Sequence, residues 1–231
     1  GFTRDEKRLM VAFASGFAYY DLDSGEVNWQ AQPNDIPNTR FNDGRTDRQG
    51  RFWSGTMVED GNFDDARGAL FCLDAGRSER RFGDLLISNG LCFSPDSTVM
   101  YHSDSPRRQI YAYDFDANSG EISAGRVHIK TAKGCYPDGA CVDSEGCLYS
   151  AQWGGSRVVR YSPEGQELEI LPMPVSQASC VAFGGENLDL MFVTTAREDL
   201  SEKALSQQPL AGSLLIYQTE FKGLEESFFK L

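Results

Sequence analysis

Histidine is nearly missing: 231 residues contain only His102 and His128. Neither sits in a recognisable pairing motif with a cysteine, so a histidine-activated thiol has little to build on. Cysteine is sparse as well. Its six copies (Cys72, Cys92, Cys135, Cys141, Cys147 and Cys180) include no C-x-x-C pair. That excludes a disulfide scaffold and favours small buried residues on strands in a reducing, hence cytoplasmic, compartment. Positive charge is short, with 22 basic against 34 acidic residues and a net charge of -12. No Lys/Arg stripe is available to neutralise phosphates, which argues against nucleic-acid binding. No run of 18 apolar residues exists, so no membrane span is expected. No basic-then-apolar leader is visible, and the opening "GFTRDEKRLM" reads as the interior of a longer protein.

Long helical periodicity is absent too. Only "AREDLSEKALSQQ", residues 196–208, fits one or two surface helical turns. What the chain has instead is a long series of short apolar segments, many alternating, such as "LMVAFAS", "RFWSGTM", "QIYAYDFD", "RVVRYSP" and "LMFVTTA". Turn chemistry such as "DSG", "DRQG", "SPDS" and "SPEG" separates them. The expectation is an all-β chain forming a single domain over residues 1–231.

The segments repeat. "NDGRTDRQGRFWSGTM", "SNGLCFSPDSTVMYHSDS" and "PDGACVDSEGCLYSAQW" align, each followed by a further strand pair. A weaker fourth unit starts at "ASCVAFGGENLDLMFVTTA". The polar residues before each glycine (Asp43, Asn89 and Asp138) and Ser179 in the fourth unit lie 46, 49 and 41 residues apart. Four strands every 40 to 50 residues mark the blade of a β-propeller. The first 30 residues read as a blade lacking its innermost strand.

Blades have a topological consequence. If the first strand of each lines the central channel, Asp43, Asn89, Asp138 and Ser179 converge at one mouth, with Arg40 and Asn42 on the same rim. The following glycine allows backbones to crowd at the axis. An oxygen-only set of Asp and Asn suits a hard divalent cation, although Asp, Asn and Gly also simply favour turns. In the turn after Asp138, the carboxylate of Asp143 is expected to be solvated. Trp53 and Trp153 are expected in the blade core, and His102 as a packed or surface side chain. "DFDANSGEI" departs from an EF-hand loop at its sixth and twelfth positions and reads as a blade turn.

In their order and spacing, "RFNDGRTDRQGRFWSGTM", "ISNGLCFSPDSTVMYHSDS" and "YPDGACVDSEGCLYSAQWGGSRVVRYSPEG" resemble the senescence marker protein/gluconolactonase family. That family includes regucalcin, luciferin-regenerating enzyme and bacterial sugar lactonases. The resemblance implies a six-bladed propeller of four-stranded antiparallel blades, of which about four complete blades and a partial one are visible here. It implies one divalent ion in the channel, calcium ahead of magnesium, manganese or zinc, with Asn89 and Asp138 as metal ligands. Arg40 and Asn42, and Asp60 after "GTM", match substrate-contacting positions, and a small sugar lactone is the implied partner. The family's N-terminal metal-binding Glu has no match, since Glu6 lies in "TRDEKR", a blade-edge turn. The chain therefore reads as N-terminally incomplete.

The expected activity is metal-dependent opening of a sugar lactone to the aldonic acid. The cation polarises the ester and activates water, and Asp138 serves as catalytic base, as ligand, or as both. The alternatives are a related aryl esterase and a non-catalytic binding propeller.

Overall fold

A computed structural model describes residues 1–230. Its strands are short and built from the alternating segments: β1 (Phe2–Thr3), β2 (Arg8–Phe13), β3 (Gly16–Asp21) and β4 (Val27–Ala31) begin the chain. Three four-stranded antiparallel meanders follow. They are β5 (Thr39–Thr46), β6 (Phe52–Val58), β7 (Gly68–Asp74) and β8 (Arg77–Leu85); then β9 (Ser88–Phe93), β10 (Val99–Asp104), β11 (Gln109–Phe115) and β12 (Ile122–Lys130); then β13 (Tyr136–Val142), β14 (Leu148–Trp153), β15 (Arg157–Tyr161) and β16 (Glu167–Pro172). The last meander is β17 (Ala178–Gly184), β18 (Leu190–Thr195) and β19 (Leu214–Gln218), with α1 (Glu202–Gln207) inserted before β19. Strand β20 (Phe228–Phe229) ends the series.

The fold is an all-β propeller, but the chain builds five blades and not the expected six. The repeat length explains this: units of 40 to 50 residues leave room for five in 231 residues, whereas the number six came from the family resemblance alone. Only three blades have the full four strands. In the fifth blade, "TEFKGL" does not form an outer strand. It turns back so that Lys222 O accepts from Ser144 N at 2.8 Å, and the chain then runs to β20. There β20 pairs in parallel with β1, so the two short strands occupy the inner edge of the first blade, where the sequence shows no full-length strand.

Apolar residues fill the spaces between adjacent blades. Trp53, Leu70, Leu91, Phe93, Met100 and Phe115 pack between the second and third. Tyr149, Val158, Val181, Met191 and Val193 pack between the fourth and fifth. Trp53 is core, as expected.

The blade turns use buried carboxylates. Asp143 is 0% exposed, which corrects the expectation that it is solvated. One of its oxygens accepts from Glu145 N and Cys147 N at 2.9 and 2.8 Å, and the other faces Arg160 at 3.3 Å. Asp47 does the same in the second blade, where Arg51 Nε and Trp53 Nε1 reach it at 2.6 and 2.9 Å. Burying such a carboxylate is tolerable only because each oxygen is fully bonded. Asp143, Glu145 and Cys147 lie close enough to hold a metal, but Arg160 and the turn amides already satisfy Asp143.

Candidate active site

Strand pairing explains how side chains leave the blade cores for the channel. Between the first and second strands the register slips at the same place in four successive blades. The slips lie between Phe41 and Gly44, between Asn89 and Cys92, between Pro137 and Ala140, and between Ala178 and Cys180. Each slip is a β-bulge, which bends the strand and re-aims a side chain. Asn42, Asp43, Asp138 and Ser179 fall inside the bulges and Asn89 borders one. Two glycines show why the sequence needs them there. A Cβ on Gly139 would stand 2.4 Å from Cys180 Sγ, and one on Gly90, which has φ +58°, would stand 2.9 Å from Asp138 O. The inner strands of neighbouring blades approach too closely for any side chain at these points.

Of the residues expected at the channel mouth, Asn89 and Asp138 from the repeat and Arg40 and Asn42 from the rim come together, whereas Asp43 and Ser179 do not line the same cleft. A cleft of about 690 Å³ is lined by Arg40, Asn42, Asn89 and Asp138. Asn42 Nδ2 donates to Asn89 Oδ1 and to Ser88 O, both at 2.9 Å. Arg40 Nη1 donates to Asn42 Oδ1 at 3.3 Å, and its Nε faces Glu59 at 3.5 Å. Asp60 does not line this cleft. It sits beyond Glu59 in the 59–67 turn, held by Arg67 Nη2 at 3.0 Å and Asn38 Nδ2 at 3.3 Å. Ser179 bonds sideways to Thr194 Oγ1 at 2.9 Å. His102 is fully buried against Ser88 Oγ at 2.8 Å, and burial pulls its pKa down to about 3, so it stays neutral.

Several lining residues were not singled out in the sequence as part of the site. Ile87 precedes β9, Ser105 and Pro106 follow β10, and Glu198 and Asp199 come from the loop before α1. Trp153, expected in the core, is half-buried and lines the cleft. It is cross-strand partner to Tyr136, and alternation along β14 places it on the face opposite buried Gln152. With Met57, Ile87 and Pro106 these rings give the cleft an apolar wall beside a polar floor.

The electrostatics centre on Asp138. Burial, with the nearby Asp43 carboxylate as the second cause, pushes its pKa up to about 8 against a weak opposing pull from the Gly139 amide. Asp43 is raised as well, chiefly by burial, although Leu91 N donates to its Oδ2 at 3.0 Å and Arg45 attracts it. Arg45 is itself committed to Glu226 and donates to Ala140 O at 2.9 Å. Among the described residues no cation pairs with Asp138. A half-buried carboxylate without a counter-charge beside an asparagine carbonyl is a donor set that fits a hard divalent ion.

This charge deficit sets a pH dependence. A carboxyl whose pKa is raised on folding stabilises the fold fully below its ordinary pKa of 3.8, and that stability is lost as pH rises toward about 8. In a chelating buffer, scanning fluorimetry should show Tm falling from pH 5 to pH 8. Asp138→Asn should flatten the fall. An equally steep fall in the variant would show that Asp138 is not its source.

A β-propeller with Asn and Asp carboxamide and carboxylate oxygens at the channel mouth, facing a half-apolar cleft, defines a class of small-molecule propeller sites. The family described as "SMP-30/Gluconolactonase/LRE-like region" matches residues 1–197, and the chain belongs to it. It is 38% identical to a 6-deoxy-6-sulfogluconolactonase of Pseudomonas putida, covering 98% of this chain and 78% of that one. It is 37% identical to an L-arabinolactonase of Azospirillum brasilense, over 98% and 76%. Among solved structures, a calcium-binding protein, regucalcin, from Agrobacterium tumefaciens superposes with a TM-score of 0.93 at 30% identity, over all of this chain and 78% of that one. Among the described residues, no helix is long and apolar enough to cross a membrane.

Proposed function

We propose that the chain is a metal-dependent lactonase that opens a sugar lactone to its aldonic acid, working in the cytoplasm. The carrying observation is the uncompensated Asp138 carboxylate next to Asn89 on the floor of the cleft. The names of the lactonase relatives support the reading of the substrate as a lactone. The calcium-binding neighbour supports calcium as the ion. Six free cysteines, four of them buried, suit a reducing compartment. The six-bladed ring remains a proposal for a longer protein, since this chain supplies five blades.

Asn89 Oδ1 and the Asp138 carboxylate would hold the ion. Bound there, a divalent cation supplies Lewis-acid polarisation of the ester and lowers the pKa of water. The chain's own groups do the rest. Arg40 and Asn42 hydrogen-bond the sugar hydroxyls and fix the lactone over the floor, while the Tyr136 and Trp153 rings cover its carbon face and exclude bulk water. Asp138 accepts the proton of the attacking water. The hydroxyl adds to the carbonyl carbon, the bond from that carbon to the ring oxygen breaks, and the proton passes to the departing oxygen, leaving a hydroxy acid. Asp60 enters this scheme only at the rim, because Arg67 and Asn38 hold its carboxylate.

The apolar wall of Met57, Ile87, Pro106, Tyr136 and Trp153 favours aryl esters as secondary substrates. Proton release in a pH-stat, from five-ring aldonolactones and from phenyl acetate, separates the readings. The sugar lactones should show the higher kcat/KM. A higher value for phenyl acetate would make the chain an aryl esterase, and no turnover of either would make it a binding propeller.

A further inference from the structure

Ser105 joins the two residues read above as holders of the ion, which come from different blades. It follows the end of β10, is 8% exposed, and lies between β9 and β13. Its Oγ accepts from Asn89 Nδ2 at 2.8 Å and donates to Pro137 O at 2.6 Å, on the peptide that leads into Asp138. A serine hydroxyl has one proton. With that proton given to Pro137 O, Oγ can only accept from its other neighbour, and so it dictates which end of the Asn89 amide it meets. The NH2 end must face Ser105, and Oδ1 must face the cleft, where Asn42 Nδ2 reaches it at 2.9 Å. The flipped amide would place an acceptor against a hydroxyl with no free proton and an NH2 against the NH2 of Asn42. It would also present a donor, not a carbonyl oxygen, to a cation.

The turn that carries Ser105 is itself anchored. Ser105 N donates to Ile87 O at 3.2 Å and its carbonyl accepts from Arg108 N at 2.9 Å. The neighbouring Asp104 carboxylate, 0% exposed, accepts from Leu86 N and Ile87 N at 3.1 and 3.2 Å. The hydroxyl is therefore fixed relative to the start of β9 before any ligand arrives.

We propose that Ser105 is a positioning residue that sets the Asn89 amide with its carbonyl toward the cleft and ties the approach to Asp138 in the next blade. This rests on the reading of Asn89 and Asp138 as holders of a divalent ion. Partners of this kind, one bond removed from the ligand, typically change metal affinity about 10- to 100-fold when lost.

The test is calorimetric titration of calcium chloride into wild type, S105A, S105T and D138N, with the metal-free Tm of each. The expected result is weak or no binding by D138N. S105A should bind about 10- to 100-fold more weakly than wild type, and S105T, which keeps the hydroxyl, should bind within about threefold of it. If S105A does not fold, S105C carries the same comparison, because a thiol donates poorly. A lowered Tm with wild-type calcium affinity in S105A would make Ser105 merely structural and overturn the proposal, as would weakened binding that S105T fails to restore. Equal calcium binding by wild type and D138N would overturn the metal reading, and this proposal with it.

Discussion

Asp138→Asn is expected to lower kcat for lactone hydrolysis by about 10³-fold while the protein still folds, in the middle of the range for losing a general base. The substitution preserves shape and removes only charge and basicity. Asp138 has no cation partner among the described residues, and burial holds its pKa near 8. The folded protein therefore loses no ion pair, and removing a charge that resists burial should leave metal-free stability unchanged or higher. This combination separates a functional from a structural carboxylate. The same change at Asp47, which holds Arg51 and Trp53 inside a blade turn, should destabilise the protein, because it leaves a buried guanidinium unpaired. A pH-stat assay with circular dichroism on both variants reads the difference. An Asp138→Asn enzyme within threefold of wild type would remove Asp138 from the chemistry.

The repeat was legible because it writes the same local problem several times. One Asp-Gly is a turn signal, but Asp43, Asn89 and Asp138 at blade spacing implied a common place in space, and the cleft contains Asn89 and Asp138 together. The glycines pointed to crowding at the axis, and Gly139 against Cys180 shows how tight it is. The bulges were harder to see. A glycine inside an alternating strand suggests one, but only the pairing of Pro137 with Gln152 and of Ala140 with Ser150 reveals it.

Asp143 misled for a physical reason. In sequence it is an acidic turn residue like any other, and its burial depends on Arg160, 17 positions away on β15, which no local pattern announces. Trp153 misled in the other direction: strand alternation fixes which face a ring occupies only once the neighbouring Gln152 is known to be buried. Glu198 and Asp199 were invisible because they sit on a loop that follows the weakest repeat. That loop is tied back by Gln177, whose Nε2 donates to Glu198 O at 2.8 Å. The number of blades was an inference from the family and not from the chain, whose own repeat provides five.

Metal dependence is the second large effect, and it bears on the central claim. Without a cation, the floor of the cleft presents Asp138, whose carboxyl is driven toward protonation by burial and then by the nearby Asp43 carboxylate, itself raised chiefly by burial. A protonated Asp138 cannot take a proton from water, and the two arginines of β5 are engaged elsewhere. Arg40 is shared with Glu59 and Asn42, and Arg45 is held by Glu226. Chelation should therefore remove nearly all turnover, on the order of 100-fold or more. The decisive measurement is lactone hydrolysis by chelated protein, verified metal-free by elemental analysis, as calcium is titrated back. The account predicts negligible turnover at the start and full recovery at a single ion per chain, with no recovery in Asp138→Asn. Full turnover by the verified metal-free protein would contradict it.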